Sequence, residues 1–145
     1  MADSKRQQII EAIDTRLKTI LTTGGYHSNI GQHIFEWKTS PFSDEQEPGA
    51  TYRDVSNNRE SEGPVNKFRW RLTVEIEVVS QTTAETMRLM IADVLKVIGT
   101  DPTWGSLAHR SGQPDTEMIV EQTDKIVTGA KITLPITYDA PLWED

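Results

Sequence analysis

The sequence predicts an α+β domain in which two helices pack on one face of a mostly antiparallel sheet. Two segments carry apolar residues at helical spacing, and one long segment alternates strictly between apolar and polar residues. The segments follow one another in the order α-β-β-β-α-β-β, which is typical of this class. At 145 residues the chain has the usual size of one domain, so we expect a single domain over 1–145.

The composition of the chain argues against several classes of function. The chain contains 22 Asp and Glu against 15 Lys and Arg, which disfavours general nucleic-acid binding, although Lys67, Arg69 and Arg71 form a short basic stripe. It contains no cysteine, so a disulfide framework, an iron–sulfur cluster and a thiolate zinc site are excluded. We expect a protein made in a reducing cytoplasm, without an export signal and without a membrane span.

The first element is a helix. Its apolar residues recur at helical spacing and form one stripe, which consists of Ile9, Ile10, Ile13, Leu17, Ile20 and Leu21. Asp3 or Ser4 can cap the start of this helix, and Gly24-Gly25 can end it. We therefore expect a rod of roughly 27 Å, long enough to lie across a sheet.

A strand is predicted over 31–38, with Trp37 on one of its faces and in the core. The next stretch, 41–66, has five apolar residues among 26 and carries several turn signals. We predict a long polar loop at about 41–66, with at most a short edge strand near 51–56. Because this stretch has little apolar area to bury, we expect it to become ordered against a partner.

The strongest strand follows the polar stretch. Its inner face carries Phe68, Trp70, Leu72, Val74, Ile76 and Val78, and Trp70 is expected in the core. From Phe68 to Val79 the strand spans about 40 Å, against a radius of gyration of about 15 Å for a chain of this size. One end should therefore project as a hairpin, and projecting strand edges invite pairing with another chain.

A second helix and two strands complete the order. Thr82 and Glu85 have the spacing of a capping box, and Gly99 ends the helix. One later strand is predicted over 118–123. The last strand has an inner face made of Ala130, Ile132, Leu134, Ile136 and Tyr138. Pro135 cannot donate to a ladder, so we expect an edge at that point or an outward-facing proline.

Catalytic chemistry is not visible in the sequence. His27, His33 and His109 do not pair at metal-ligand spacing, and neither a nucleophile signature nor a phosphate-binding loop is present. Glu75 and Glu77 share the solvent-exposed face of the strand, where no catalytic pKa shift is expected. We therefore predict a non-enzymatic protein with no catalytic, cofactor-binding or metal-binding residues.

The class of function that remains is binding to other proteins. Trp104 lies in a Pro/Gly turn and Trp143 in the tail, where tryptophans are hard to bury and are favoured as interface anchors. Charged residues on the solvent-facing side of the long strand, together with a tyrosine of the polar stretch, extend this candidate surface. The candidate interface residues are Arg69, Arg71, Glu75, Glu77, Tyr52, Trp104 and Trp143.

The order of elements resembles the tail terminator, or tail completion, proteins of long-tailed bacteriophages, including the minor tail protein U-like group. The likeness runs over nearly the full chain. It is carried by the first helix, the polar crossing stretch, the strand Phe68–Val78, the helix 84–98, Asp101-Pro102-Thr103-Trp104 and the closing Ile136-Thr137-Tyr138.

The resemblance implies a small α/β protein that forms a hexameric ring on the head-proximal end of the tail tube. Such a ring stops tube polymerisation and presents a surface to the head connector. The implied partners are other copies of the chain, the tail tube protein and the head–tail connector protein, while nucleic acid only passes through the lumen. The implied location is the tail of the virion, after synthesis in the cytoplasm of the bacterial host.

Two alternatives stay open. One keeps the location in the virion but changes the position, to a head–tail connector or baseplate subunit. A different class would be a small cytoplasmic enzyme that uses His33 or His109 in a pocket under the polar stretch.

Overall fold

The computed structural model describes residues 4–60, 64–121 and 126–145. The helices are α1 (Lys5–Leu17) and α2 (Ala84–Gly99). The strands are β1 (Ile34–Glu36), β2 (Gly49–Arg59), β3 (Lys67–Thr82), β4 (Arg110–Ser111), β5 (Asp115–Glu121) and β6 (Ile126–Pro141). Short 3-10 turns lie at Thr22–Gly24, Ile30–Gln32 and Asp44–Gln46.

The strands form one mixed sheet in the order β1-β2-β3-β6-β4, and β5 also pairs with β6. Among the strands of the described residues, only the short β1 runs parallel to its neighbour; the other pairings are antiparallel. β4 and β5 lie on the same side of β6 and form one interrupted edge. This arrangement confirms the predicted α+β class with a mostly antiparallel sheet.

One face of the sheet carries the core. The inner residues of β3 from Leu72 to Val78 and those of β6 from Ala130 to Tyr138 are fully buried. They pack in a single cluster with the apolar stripes of both helices, which include Ile13 of α1 and Val94 of α2. The alternation predicted for β3 and β6 is therefore confirmed, and both helices lie on the same face.

The helix boundaries differ from the predicted ones. Ser4 caps α1 by accepting a hydrogen bond from the backbone N–H of Gln7, but α1 ends at Leu17 rather than at Gly24-Gly25. Gly31 passes so close to the chain after the helix that a Cβ there would lie 2.6 Å from the carbonyl oxygen of Lys18. This close approach leaves no room for a longer helix, although Ile20 remains buried.

The capping box predicted at Thr82 and Glu85 is wrong by one residue. Thr83 is the N-cap of α2, and its side chain accepts a hydrogen bond from the backbone N–H of Thr86. Thr82 still belongs to β3, where it pairs with Val127. The sheet ladder therefore sets the start of the helix.

The prediction of a polar loop at about 41–66, with at most a short edge strand, is wrong in its middle part, because β2 spans eleven residues of it. β2 pairs with β3 from Gly49 to Arg59, and Ala50 and Tyr52 enter the core. Residues 44–46 form a 3-10 turn, and Glu47 accepts a hydrogen bond from the backbone N–H of Gln81. Ladder bonds to β3 supply order in this stretch that apolar burial alone does not.

Three further expectations concern single residues. The strand predicted over 31–38 contains only Ile34–Glu36, because Trp37 adopts a φ of 50° and turns out of it. Trp37 is 49% exposed, so its predicted place in the core is wrong. The strand predicted over 118–123 begins earlier, at Asp115, and its last two residues lie outside the described ones. Pro135 faces the break between β4 and β5, where its carbonyl accepts a hydrogen bond from Gly112.

Candidate interaction surface

The sheet has an end that the helices do not cover fully. β3 and β6 have 16 residues each and reach about 50 Å, whereas the 13 residues of α1 reach only about 20 Å. The C-terminal tail turns back to the first turn of α1, where the backbone N–H of Arg6 donates to the carbonyl of Asp145 at 2.6 Å. Phe68 and Trp70, on the core side of β3 at this end, are only partly buried.

Aromatic rings collect at this end of the sheet. The ring of Phe68 lies edge-to-face with Trp70 at 6.1 Å and with Trp143 at 5.2 Å between centroids. The guanidinium carbon of Arg59 sits 4.9 Å from the centroid of Phe68. These four residues, with Glu144 and Asp145, line a cleft of about 590 Å³. We call Arg59, Phe68, Trp70 and Trp143 the aromatic end.

The aromatic end is open to solvent. Trp143 is 85% exposed, and the nearby Leu142 is exposed as well. Trp143 also has a φ of 65°, in the left-handed region that residues other than glycine rarely adopt. A strained backbone that holds an apolar ring in water is unfavourable for the isolated chain, so this position favours a function in binding.

The opposite face of the sheet carries the predicted charged residues, and much of their charge is neutralised within the chain. Arg53 of β2 forms an ion pair with Glu77 at 2.8 Å and approaches Glu75 at 3.8 Å. Lys131 of β6 lies 4.0 Å from the other carboxylate oxygen of Glu75. Glu75 and Glu77 are therefore partly buried members of a cross-strand network rather than free interface charges.

Arg69 and Arg71 occupy the same face nearer the aromatic end. Arg69 donates two hydrogen bonds to Asp139, and these bonds hold the pKa of Asp139 below its usual value. Arg71 is exposed and pairs in register with Asn58 and Thr137; among the residues the structure describes, it joins no ion pair. Of the four predicted charges, Arg71 is the one available for a partner.

Tyr52 and Trp104 are buried, so their prediction as interface residues is wrong. The hydroxyl of Tyr52 donates to Asp14 of α1 at 2.8 Å, and burial together with this bond raises the pKa of Tyr52. The indole N–H of Trp104 donates to Ser111, and the Arg16 guanidinium carbon lies 4.1 Å from its ring centroid. The alternation of Ala50 and Tyr52 was a signal for burial of Tyr52, but no local signal places Trp104 in the core.

Sequence reasoning also missed part of the surface. Phe68 and Trp70 were expected in the core, and Arg59 was not singled out. The signal that could have found them is the mismatch between the length of the long strand and the lengths of the helices, because a sheet longer than its helices leaves apolar residues uncovered. Trp143 is the predicted interface aromatic that the structure places at this surface.

The three histidines have partners in different parts of the chain, and the backbone N–H of His109 donates to the carbonyl of Thr137. His33 has its Nδ1 atom 3.2 Å from the carbonyl oxygen of Pro48, and the backbone N–H of His27 donates to the buried carboxylate of Asp93. Within residues 4–60, 64–121 and 126–145 no cluster of three or more His, Asp or Glu side chains could hold a metal ion. In the same ranges, neither helix has the length and apolar character needed to cross a membrane.

The fold and this surface define an α+β protein with an exposed aromatic end and an otherwise closed core. Comparison of the sequence with protein-family models and with curated proteins finds no match in either.

Proposed function

We propose that this protein is a structural subunit that assembles with copies of itself into a ring, and that the ring caps the tail tube of a long-tailed bacteriophage. The observation that carries the proposal is the aromatic end. Phe68, Trp70 and Trp143 expose apolar surface at one end of a long sheet, and Arg59 adds a cation. Tryptophan and arginine are the residues most often found at the energetic centre of protein interfaces.

The position of these residues suits contact with the end of another assembly. The aromatic end lies where β3 begins and β6 finishes, so it is presented along the strand direction rather than from the side of the sheet. A ring of subunits with parallel strand axes would carry one such end per subunit on the same rim. That rim would dock on the tail tube protein or on the head–tail connector protein.

The choice of a phage tail is supported by the resemblance in element order and by the charge of the chain. The net charge of −7 disfavours tight binding of DNA phosphates, which suits a ring through which DNA only passes. The mechanism is recognition without chemistry: the ring stops tube polymerisation and offers a surface for head joining. The protein would then be located in the virion tail.

The first test uses particles that lack the protein. Electron microscopy should show overlong or headless tails, and the wild-type protein supplied in trans should restore normal particles. Tails of normal length that fail only to join heads would move the assignment to a head–tail connector. Tails that lack the baseplate, at the end far from the head, would instead assign the protein as a baseplate subunit.

The second test addresses the aromatic end directly. Trp143→Ser should weaken binding of the purified protein to isolated tail tubes or connectors about tenfold, because an exposed aromatic anchor is lost. Leu89→Ser is the matched control, since Leu89 is an exposed apolar residue on α2. Equal effects of the two variants, or no affinity of the wild-type protein for either target, would contradict the proposal.

A further inference from the structure

The sheet has two open edges on opposite sides. β1 covers β2 only as far as Tyr52, so residues 53–59 of β2 pair with β3 alone in the part of the chain described. On the other side, the segment Asp115–Met118 of β5 pairs with β6, and no described strand lies beyond it. Both segments present backbone N–H and C=O groups outward, where another strand can add to the ladder.

The strand directions make the two edges compatible with each other. β2, β3, β6 and β5 are consecutive neighbours, and each pair is antiparallel, so β2 and β5 run in opposite directions. A second copy placed beside the first with its strands in the same direction brings its β5 antiparallel to β2 of the first copy. Through the ladder, residues 115–118 of β5 are level with residues 50–53 of β2, so pairing with residues 53–59 shifts the second copy along the strands, and the axis that relates the copies is inclined to the strands. The sheet then continues from copy to copy without a change in its pairing type.

The charges of the two edges are complementary. Asp115 and Glu117 are exposed on β5, and the strand contains no lysine or arginine. The Lys131 ammonium of β6 lies 4.0 Å from the carboxylate of Glu117, which stays largely exposed. On β2 the carboxylate of Asp54 is paired with Arg6 at 2.6 Å and Arg53 is paired with Glu77 at 2.8 Å, which leaves the cation of Arg59 as the charge the edge offers. Two β5 edges would repel each other, so this pattern favours β2 against β5 over β5 against β5.

We propose that copies of this chain join edge to edge, with residues 53–59 of β2 in one copy paired antiparallel with residues 115–118 of β5 in the next. The interface is heterologous and leaves one open edge of each kind at every step. Such an interface gives a ring where the rotation between copies closes and an open filament where it does not, and the proposed function requires the ring. The β-bulge between Asp54 and Ser56 bends β2 at this edge and supplies curvature. This inference rests on the self-assembly in the proposed function and names its interface.

Crosslinking provides the direct test because the chain has no cysteine. Val55→Cys and Thr116→Cys place single thiols on the two edges, both at exposed positions. After treatment with a short bifunctional maleimide, a mixture of the two variants should give a dimer that contains one chain of each. Each variant alone should give none, and Arg88→Cys on the exposed side of α2 should crosslink with neither. The double variant should give a ladder of bands that ends at the ring size.

A charge reversal tests the complementarity. Glu117→Lys should weaken self-association about tenfold in light scattering or native mass spectrometry, with a smaller effect for Glu117→Gln. Glu85→Lys makes the same change in charge on the exposed start of α2 and should leave self-association unaltered. Equal effects at the two positions would mean that net charge, rather than this edge, controls the association.

The outcomes separate this inference from the proposed function. Dimers from Val55→Cys alone or Thr116→Cys alone, or rings that form without the mixed crosslink, overturn the edge pairing and leave the capping function standing. Edge-paired rings without affinity for tail tubes or connectors support the edge pairing and count against the capping function. A chain that stays monomeric at high concentration in the presence of its tail target overturns both.

Discussion

Arg69 and Asp139 face each other across the β3–β6 ladder and form a two-point ion pair. The Nε–Oδ1 distance is 2.8 Å and the Nη2–Oδ2 distance is 3.1 Å. The two residues are direct partners in the strand register, so each side chain is held where the other can reach it. Such bidentate pairs are stronger and more directional than single contacts. The pair therefore fixes the register of the sheet close to the aromatic end.

Removing this ion pair should reduce stability in a pH-dependent way. Asp139→Asn should lower the free energy of unfolding slightly at pH 7, as is usual for an ion pair that water reaches. Because the pKa of Asp139 is lowered by its hydrogen bonds with Arg69, its contribution is fully present above the ordinary aspartate value of about 4. The contribution is lost as the pH falls through the lowered pKa.

Urea unfolding at pH 7 and near pH 2 measures this difference. The gap in stability between wild type and Asp139→Asn should be larger at pH 7 than at the acidic end. A gap of the same size at both pH values would contradict the assignment of the pKa shift to this pair.

Tyr138 should make stability fall at alkaline pH. Burial raises its pKa from 10.0 to about 12, although the hydrogen bond from Asn57 opposes the shift. The unfolded chain releases the phenol proton from about pH 10, and the folded chain does so only near its raised pKa. Stability is therefore lost as the pH rises between these two values.

Tyr138→Phe removes this titration. At pH 7 the variant should be about 1 kcal/mol less stable, because the hydrogen bond with Asn57 is lost. Between pH 9 and about 11.5 its unfolding free energy should fall less steeply than that of the wild type, in denaturant titrations at several pH values. Tyr52 is present in both proteins and does not affect the comparison; parallel pH profiles would contradict the prediction.

The tryptophans should differ sharply in their effect on stability. Trp104 is 2% exposed and Trp143 is 85% exposed. Trp104→Ala should cost about 3–5 kcal/mol because it leaves a large cavity. Trp143→Ala should cost about 1 kcal/mol or less, since it loses little more than the edge contact with Phe68. Thermal or urea unfolding measures both, and a large cost for Trp143→Ala would indicate that this ring belongs to the core.

The two faces of β6 give a matched pair of variants. Leu134 is fully buried, whereas its neighbour Thr133 lies on the opposite, partly exposed face. Leu134→Ala should lower the free energy of unfolding by about 2–5 kcal/mol, and Thr133→Ala by less than about 1 kcal/mol. Similar losses in urea unfolding for the two variants would mean that the outer face is covered in solution.

Much of the fold could be predicted from local patterns. The alternation from Leu72 to Val78 and the helical stripe of α2 are repeated many times over adjacent residues, so they survive any single exception. The predictions that failed concern positions where a single residue sets the boundary of an element. Thr82 and Thr83 offer nearly the same capping chemistry, and the choice depends on how far the β3–β6 ladder continues.

The candidate surface could be predicted only in part. Trp143 was expected to be exposed because it lies in a Pro-containing tail, and it is exposed. Trp104 lies in an equally polar turn but is buried under Arg16 of the first helix, and its indole N–H donates to the nearby Ser111. A partner distant in the sequence, Arg16, therefore contributes to the outcome, and a local pattern does not contain it.

By itself, the sequence determined the class of the fold, the inner and outer faces of the long strands and the absence of thiol chemistry. These properties follow from the spacing and types of residues along the chain. Tertiary structure decided that the polar stretch after residue 48 is a strand, that Tyr52 and Trp104 are buried, and that Phe68 and Trp70 stay partly exposed. The physical reason is that β2 takes its order from ladder bonds to β3, and that burial depends on which residues the shorter helices can reach.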